Sequence, residues 1–168
     1  HDASITGAAP ALASRVTSTS LDDESRARAI ATALYLGRKG DALALAELAG
    51  DPRFAADDRV RALAALAQWG DPDAVDAVTG AWRLVLPRDA EPARVALRPA
   101  LADLAADGVE AVVAAFVSAI VRLGLREAVP ALTSLAGDET RGAQVRAAAL
   151  DALARFEPVA GSALRLVG

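Results

Sequence analysis

The sequence predicts an all-α protein, an α-α superhelix of about ten short antiparallel helices. Three observations carry this expectation. Alanine and leucine make up 66 of the 168 residues, and both favour helix. Apolar residues recur at offsets of three, which places them on one helical face. A helical segment also returns along the chain at a fixed period, the signature of a repeat architecture. Hydrophobic residues are 54% of the chain and aromatics only 4%, so the core has to be built from small aliphatic side chains.

The repeat is visible in four segments that align without gaps: SRARAIATALYLG at 25–37, DRVRALAALAQWG at 58–70, VVAAFVSAIVRLG at 112–124 and VRAAALDALARFE at 145–157. The second slot holds Arg26, Arg59, Val113 and Arg146. The sixth holds Ile30, Leu63, Val117 and Leu150, the ninth Ala33, Leu66, Ile120 and Leu153, and the twelfth Leu36, Trp69, Leu123 and Phe156. The final slots are spaced 33, 54 and 33 residues apart. A second marker, Leu-Ala-Gly-Asp at 48–51 and again at 135–138, returns after 87 residues and keeps the same register. The long spacing is one unit plus about 21 extra residues, which the pattern places at about 84–107.

Each element has its boundary signals. Ser20, followed by Leu21, Asp22, Asp23 and Glu24, reads as an N-cap with an acidic first turn. Gly37, Gly70 and Gly124 end helices, and Asp51-Pro52 and Asp71-Pro72 mark turns. A second helix in each unit is expected at Ala42–Leu48, Val75–Trp82 and Val129–Leu135, with an added helix over Glu91–Ala106 in the irregular unit. Val109–Leu123 has almost no polar atom and reads as the buried middle of the stack. No strand is expected.

An apolar helix, an Asp, a turn and then Val-Arg-x-x-Ala-Leu-x-x-Leu resembles HEAT repeats, over nearly the whole chain. The resemblance implies an α-solenoid in which Asp and Arg residues form a hydrogen-bonding ladder between units. Here it would assign Asp51, Arg59, Asp138 and Arg146 to that structural ladder, interrupted at Ser18 and Val113. A narrower resemblance covers Gln68–Asp89, QWGDPDAVDAVTGAWRLVLPRD. It is similar to the HEAT region of large planctomycete-type proteins that carry a dehydrogenase-like propeller before it and a CxxCH c-type haem domain after it. That resemblance rests on Trp69, Asp71, Pro72, Val78, Thr79, Gly80, Trp82, Arg83, Pro87 and Asp89. It implies a periplasmic or exported parent, and neither the propeller nor the haem motif lies in these 168 residues.

Composition narrows the function classes. With no cysteine and one histidine, His1, the chain offers no thiolate metal site, haem attachment or Ser-His-Asp triad. A net charge of −4 argues against a nucleic-acid surface and against a HEAT-like DNA glycosylase, both of which need a cationic face. Mean hydropathy is +0.29, yet the most apolar stretch, Ala111–Val121, is 11 residues long where a spanning helix needs about 20. The first residues lack a basic start and a long apolar run, so they do not read as a signal peptide. The missing initiator Met reads as a segment of a larger protein. Seventeen arginines against one lysine, Lys39, read as coding bias.

The remaining candidates have structural readings beside functional ones. Asp71, Asp73 and Asp76 suggest a Ca²⁺ loop, but helix capping accounts for Asp71 and Asp73, and the distal Glu and turn glycine of such a loop are missing. Gly37-Arg38-Lys39-Gly40 reads as a basic helix end rather than an anion loop. Trp69 occupies a core slot. Trp82 is expected to cover the insert, and Trp82, Arg83 and Arg88 form the possible interaction surface, since interfaces favour Trp and Arg anchors. The reading that follows is a single HEAT-like domain over 1–168, a non-catalytic scaffold or protein-interaction module. Its partner is another protein or a neighbouring domain, and no cofactor, nucleic acid or membrane insertion is expected. The alternative is a structural spacer within an exported multidomain dehydrogenase/c-type cytochrome.

Overall fold

The computed structural model describes residues 3–75, 78, 80, 82 and 85–156, and among them the protein is all-helical. The helices are α1 (Ala3–Ala13), α2 (Asp23–Leu36), α3 (Lys39–Gly50), α4 (Ala56–Ala67), α5 (Glu91–Leu97), α6 (Leu101–Ala105), α7 (Glu110–Leu123), α8 (Val129–Gly137) and α9 (Ala143–Phe156). Eight of these have seven residues or more and α6 is a single turn, so the described chain has eight helices rather than about ten.

One difference lowers the number and a second divides an expected helix. The segment expected to be helical at Val75–Trp82 instead brings Val75 and Trp82 together as an isolated antiparallel bridge. Val75 and Val78 are β-branched and disfavour helix, and Gly80 takes a left-handed φ of +67° that turns the chain back. The helix expected over Glu91–Ala106 is divided into α5 and α6 by a 3₁₀ turn, Arg98–Ala100, where Pro99 has no N–H to continue the α ladder.

Helix ends follow local chemistry. Asp22, not Ser20, caps α2, its Oδ1 accepting from the Ser25 N–H at 2.7 Å. That bond is the largest cause holding the Asp22 carboxyl below its ordinary pKa. Before α7, Asp107 Oδ1 accepts from the Val109 N–H at 2.8 Å. α2 and α7 both end on glycine at φ +67°, Gly37 and Gly124.

Helices next to one another in sequence pack together: α1 with α2, α3 with α4, α6 with α7, and α8 with α9. The second members meet in succession, α2 on α4, α4 on α7 and α7 on α9, while α3 packs on α5 and α6 on α8. Repeat slots therefore fall between neighbours. Ile30, Leu63 and Val117 are buried, as are Ala33, Leu66 and Ile120. Buried alanines, among them Ala29, Ala62, Ala65 and Ala119, let the helix axes approach closely. α7 is the centre, burying Val112, Val113, Phe116, Val117, Ala119, Ile120 and Leu123.

The sixth slot changes character at α9, where Leu150 is 57% exposed. Its equivalents Ile30, Leu63 and Val117 are buried on helices that another helix follows, and no described helix lies beyond α9. Within 84–107, the span expected to hold the irregular insert, α5 packs on α3 and α6 on α7.

Leu66→Ala should cost about 2–5 kcal/mol by urea unfolding with an unchanged m-value, because Leu66 is fully buried. Leu150→Ala should stay within about 0.5 kcal/mol. Equal costs at the two positions would contradict this slot assignment.

Candidate functional site

Two sets of arginines bind the helix pairs together. The first gathers at the N-terminal ends of α2, α4, α7 and α9. Arg26 is buried and donates through Nη1 to the Val16 and Ser18 carbonyls at 3.1 and 2.9 Å, and through Nη2 to Leu21 O at 3.0 Å. Its Nε faces Asp58 Oδ2 at 3.0 Å as an ion pair without hydrogen-bond alignment, and its guanidinium lies 4.9 Å from the Phe54 ring centroid. One stratum on, Arg59 donates to Ala49 O at 2.8 Å and to Asp107. Arg141 then donates to the Asp107 and Ala105 carbonyls at 2.5 and 3.2 Å, and the Gly142 N–H to Glu110 Oε1 at 2.5 Å. Desolvation pulls the Asp107 pKa up, but the Arg59 hydrogen bond, the Val109 N–H and the charges of Arg59 and Arg141 hold it below the ordinary value.

This arrangement differs from the ladder expected of Asp51, Arg59, Asp138 and Arg146. Asp51 is engaged by its near neighbour Arg53, Oδ2 to Nη2 at 2.6 Å, while Arg59 turns to Asp107 of the following pair. Asp138 accepts from Thr140 and lies 3.5 Å from Arg141; Arg146 sits half-buried on α9. A carboxylate at a turn is met first by the short Asx-type loop that follows it, which leaves the buried arginine to find a partner across the interface.

The second set gathers at the C-terminal ends. Arg88 donates to Trp69 O at 2.8 Å, to Tyr35 O at 3.4 Å and to Leu34 O, with its guanidinium 4.5 Å from the Trp69 ring centroid. Arg94 donates to Leu123 O at 2.7 Å and Arg126 to Phe156 O at 2.6 Å. Trp69, Leu123 and Phe156 all occupy the twelfth repeat slot, so these guanidiniums satisfy orphan carbonyls and complement the helix dipoles. Gly37 is required here twice over: its φ is left-handed, and a Cβ would collide with the Arg88 guanidinium. The arginine excess read as coding bias thus includes six side chains with structural work that the single point charge of lysine would not reproduce.

Arg88 is therefore a clamp rather than a surface anchor. Burial lowers its pKa, opposed by the charge of Asp41, and its N–H donates to Gly70 O at 2.7 Å. Arg88 is thereby tied back to Gly70 at the end of α4, so the described residues between the two belong to an excursion that begins and ends at one place. Its described apolar side chains face outward: Val75 is 54% exposed, Trp82 69% and Leu86 73%, with Val78 exposed as well. Trp82 does not cover the insert as expected. Arg83 and Asp76 lie outside the described residues, while Asp71 and Asp73 are exposed.

Two concavities adjoin the helices. A groove of about 520 Å³ lies between α6 and α8, lined by small residues such as Ala102, Ala105, Ala131 and Ser134. A smaller cleft of about 220 Å³ lies between the excursion and the α2–α4 surface. Among the described residues, no group of three His, Cys, Asp or Glu side chains is placed to hold a metal ion, and no helix is long and apolar enough to cross a membrane. Neither protein-family profiles nor curated proteins nor solved structures provide a match to this chain.

The sequence singles out Trp82, chiefly to cover the insert and otherwise as part of a possible interaction surface, and does not reveal the pairings of Arg26 with Asp58 and of Arg59 with Asp107. The arginine in the second slot was the available signal, because a guanidinium one residue into an apolar stripe must be met inside the fold. Asp58→Ala should cost about 3–5 kcal/mol by denaturant unfolding, since it strands Arg26. The double replacement Arg26→Met with Asp58→Leu should recover part of that loss; a fully additive double variant would show that the two charges are not coupled. Arg88→Lys should open residues 71–87 to chymotrypsin about five- to thirtyfold faster, the effect of losing one or two kcal/mol of closure. An unchanged cleavage rate would contradict the clamp.

Proposed function

We propose that this chain is a non-catalytic scaffold or protein-interaction module of the HEAT-repeat, α-solenoid kind. Its contact surface is the excursion at 71–87. The observation that carries the reading is that segment itself, closed at its base by Arg88 while Val75, Trp82 and Leu86 remain exposed. A soluble surface rarely gathers such residues without a use, and Trp is the residue most enriched at interface hot spots. Helix pairs that contact one another in succession, with second members spaced 33, 54 and 33 residues apart, support the solenoid part of the reading.

A second reading has its own support. The residues that resemble the planctomycete-type HEAT region, Trp69 to Asp89, are those of the excursion and its clamp. The partner would then be a neighbouring domain of one exported dehydrogenase/c-type cytochrome polypeptide, with this chain as spacer.

Site-specific photo-crosslinking separates the readings. A benzoylphenylalanine in place of Leu86 should crosslink to protein, and the same group in place of Leu43, exposed on α3, should not. An adduct to a separate polypeptide supports the module, and an adduct within a longer form of the same polypeptide supports the spacer. Equal yields from positions 86 and 43 would contradict both.

A further inference from the structure

The cleft beside the excursion has walls of different origin. Ile30, Leu34 and Ala64 come from α2 and α4, while Val75 and Val78 come from the excursion. Ala64 is exposed on α4, so a methyl group sits where a larger side chain would fill the space. At about 220 Å³, the cleft is smaller than the pockets that enclose drug-sized ligands. It suits one or two aliphatic side chains of a larger partner. Trp82, exposed and bridged to Val75 of the cleft wall, extends the apolar surface.

The described charges around this surface are unequal. Asp71, Asp73 and Asp89 are exposed, and Asp73 lines the cleft. Two described bases nearby are committed elsewhere. Arg88 is turned onto the carbonyls of Leu34, Tyr35 and Trp69, and Arg61, which lines the α4 side, is held by Asp58 at 3.0 Å. An apolar cleft with an acidic margin, on a chain of net charge −4, complements a basic partner and repels an anionic bilayer.

Building on the interaction reading above, we propose that the cleft and Trp82 dock a basic amphipathic segment of another protein. An aliphatic side chain seats between Val75 and Ala64, and a lysine or arginine faces Asp73 and Asp71. This names the partner's chemistry, which the proposed function leaves open.

The test uses the full chain and acrylamide quenching. Trp82 is exposed and Trp69 fully buried, so the readily quenched part of the emission reports Trp82. The probes are an amphipathic helical peptide of leucine and lysine, the same peptide with glutamate for lysine, and phosphatidylserine vesicles. The lysine peptide should protect Trp82 at least tenfold more tightly than the glutamate peptide. Asp73→Lys should weaken it at least tenfold, and Ala64→Leu should abolish the protection while the thermal melt is unchanged. Equal protection by both peptides would overturn the basic-partner proposal and leave the excursion as an interaction site. Protection by vesicles alone, or by raising the protein concentration without any probe, would overturn it in favour of a lipid surface or a second copy. No protection by any probe would overturn the docking site itself, while crosslinking from position 86 would still test the broader reading.

Discussion

A buried guanidinium has five N–H donors in a fixed plane and cannot shed its charge, so the chain around it must supply acceptors in several directions. Here those acceptors come from different helix pairs. Arg26 joins the α1–α2 connection to α4 through three carbonyls and Asp58. Arg59 joins the end of α3 to the start of α7 through Ala49 O and Asp107, and Arg141 continues from Asp107 towards α9. At the opposite ends Arg88, Arg94 and Arg126 sit on carbonyls of the twelfth slot. The aliphatic slots supply cohesion, which is not directional. The arginines add the directional requirement, because a shift of one pair against the next would strand a charge.

Much of the helical part was legible because its signals are local. The second members of the pairs, their apolar faces and the glycine stops at Gly37 and Gly124 all follow from period and turn chemistry. The departures have a common physical source. Asp51 and Asp138 looked like ladder residues, but which guanidinium reaches which carboxylate depends on inter-helix distances that no spacing encodes. Within 84–107, where the spacing predicts the irregular insert with a helix over Glu91–Ala106, the chain forms α5 and α6, divided at Pro99 because a proline has no N–H for the α ladder. Val75–Trp82 has helix-like apolar spacing, but β-branched side chains and the positive φ of Gly80 favour a turn back over a helix.

The candidate site was legible only by residue type. Trp82 stands out as one of two tryptophans, and it is exposed where the sequence predicts that it covers the insert. Arg88 was grouped with it by proximity, yet its side chain points the other way, onto the ends of α2 and α4. The connection between the two is mechanical. A long excursion from a helix end costs closure entropy, and Arg88 restricts it by binding both its own base and the neighbouring helix. The exposed side chains Val75, Trp82 and Leu86 are thus attached to the same set of interactions that joins the helices.

Native-state hydrogen exchange on wild-type protein and on Arg59→Met tests most directly whether the arginines couple the pairs. The account predicts that core amides of α2, α4, α7 and α9 open with one common free energy, and that this value falls together in all four helices when Arg59 is replaced. A loss of protection confined to the first turn of α4 and the Asp107 turn, with α2 and α9 unchanged, would contradict it.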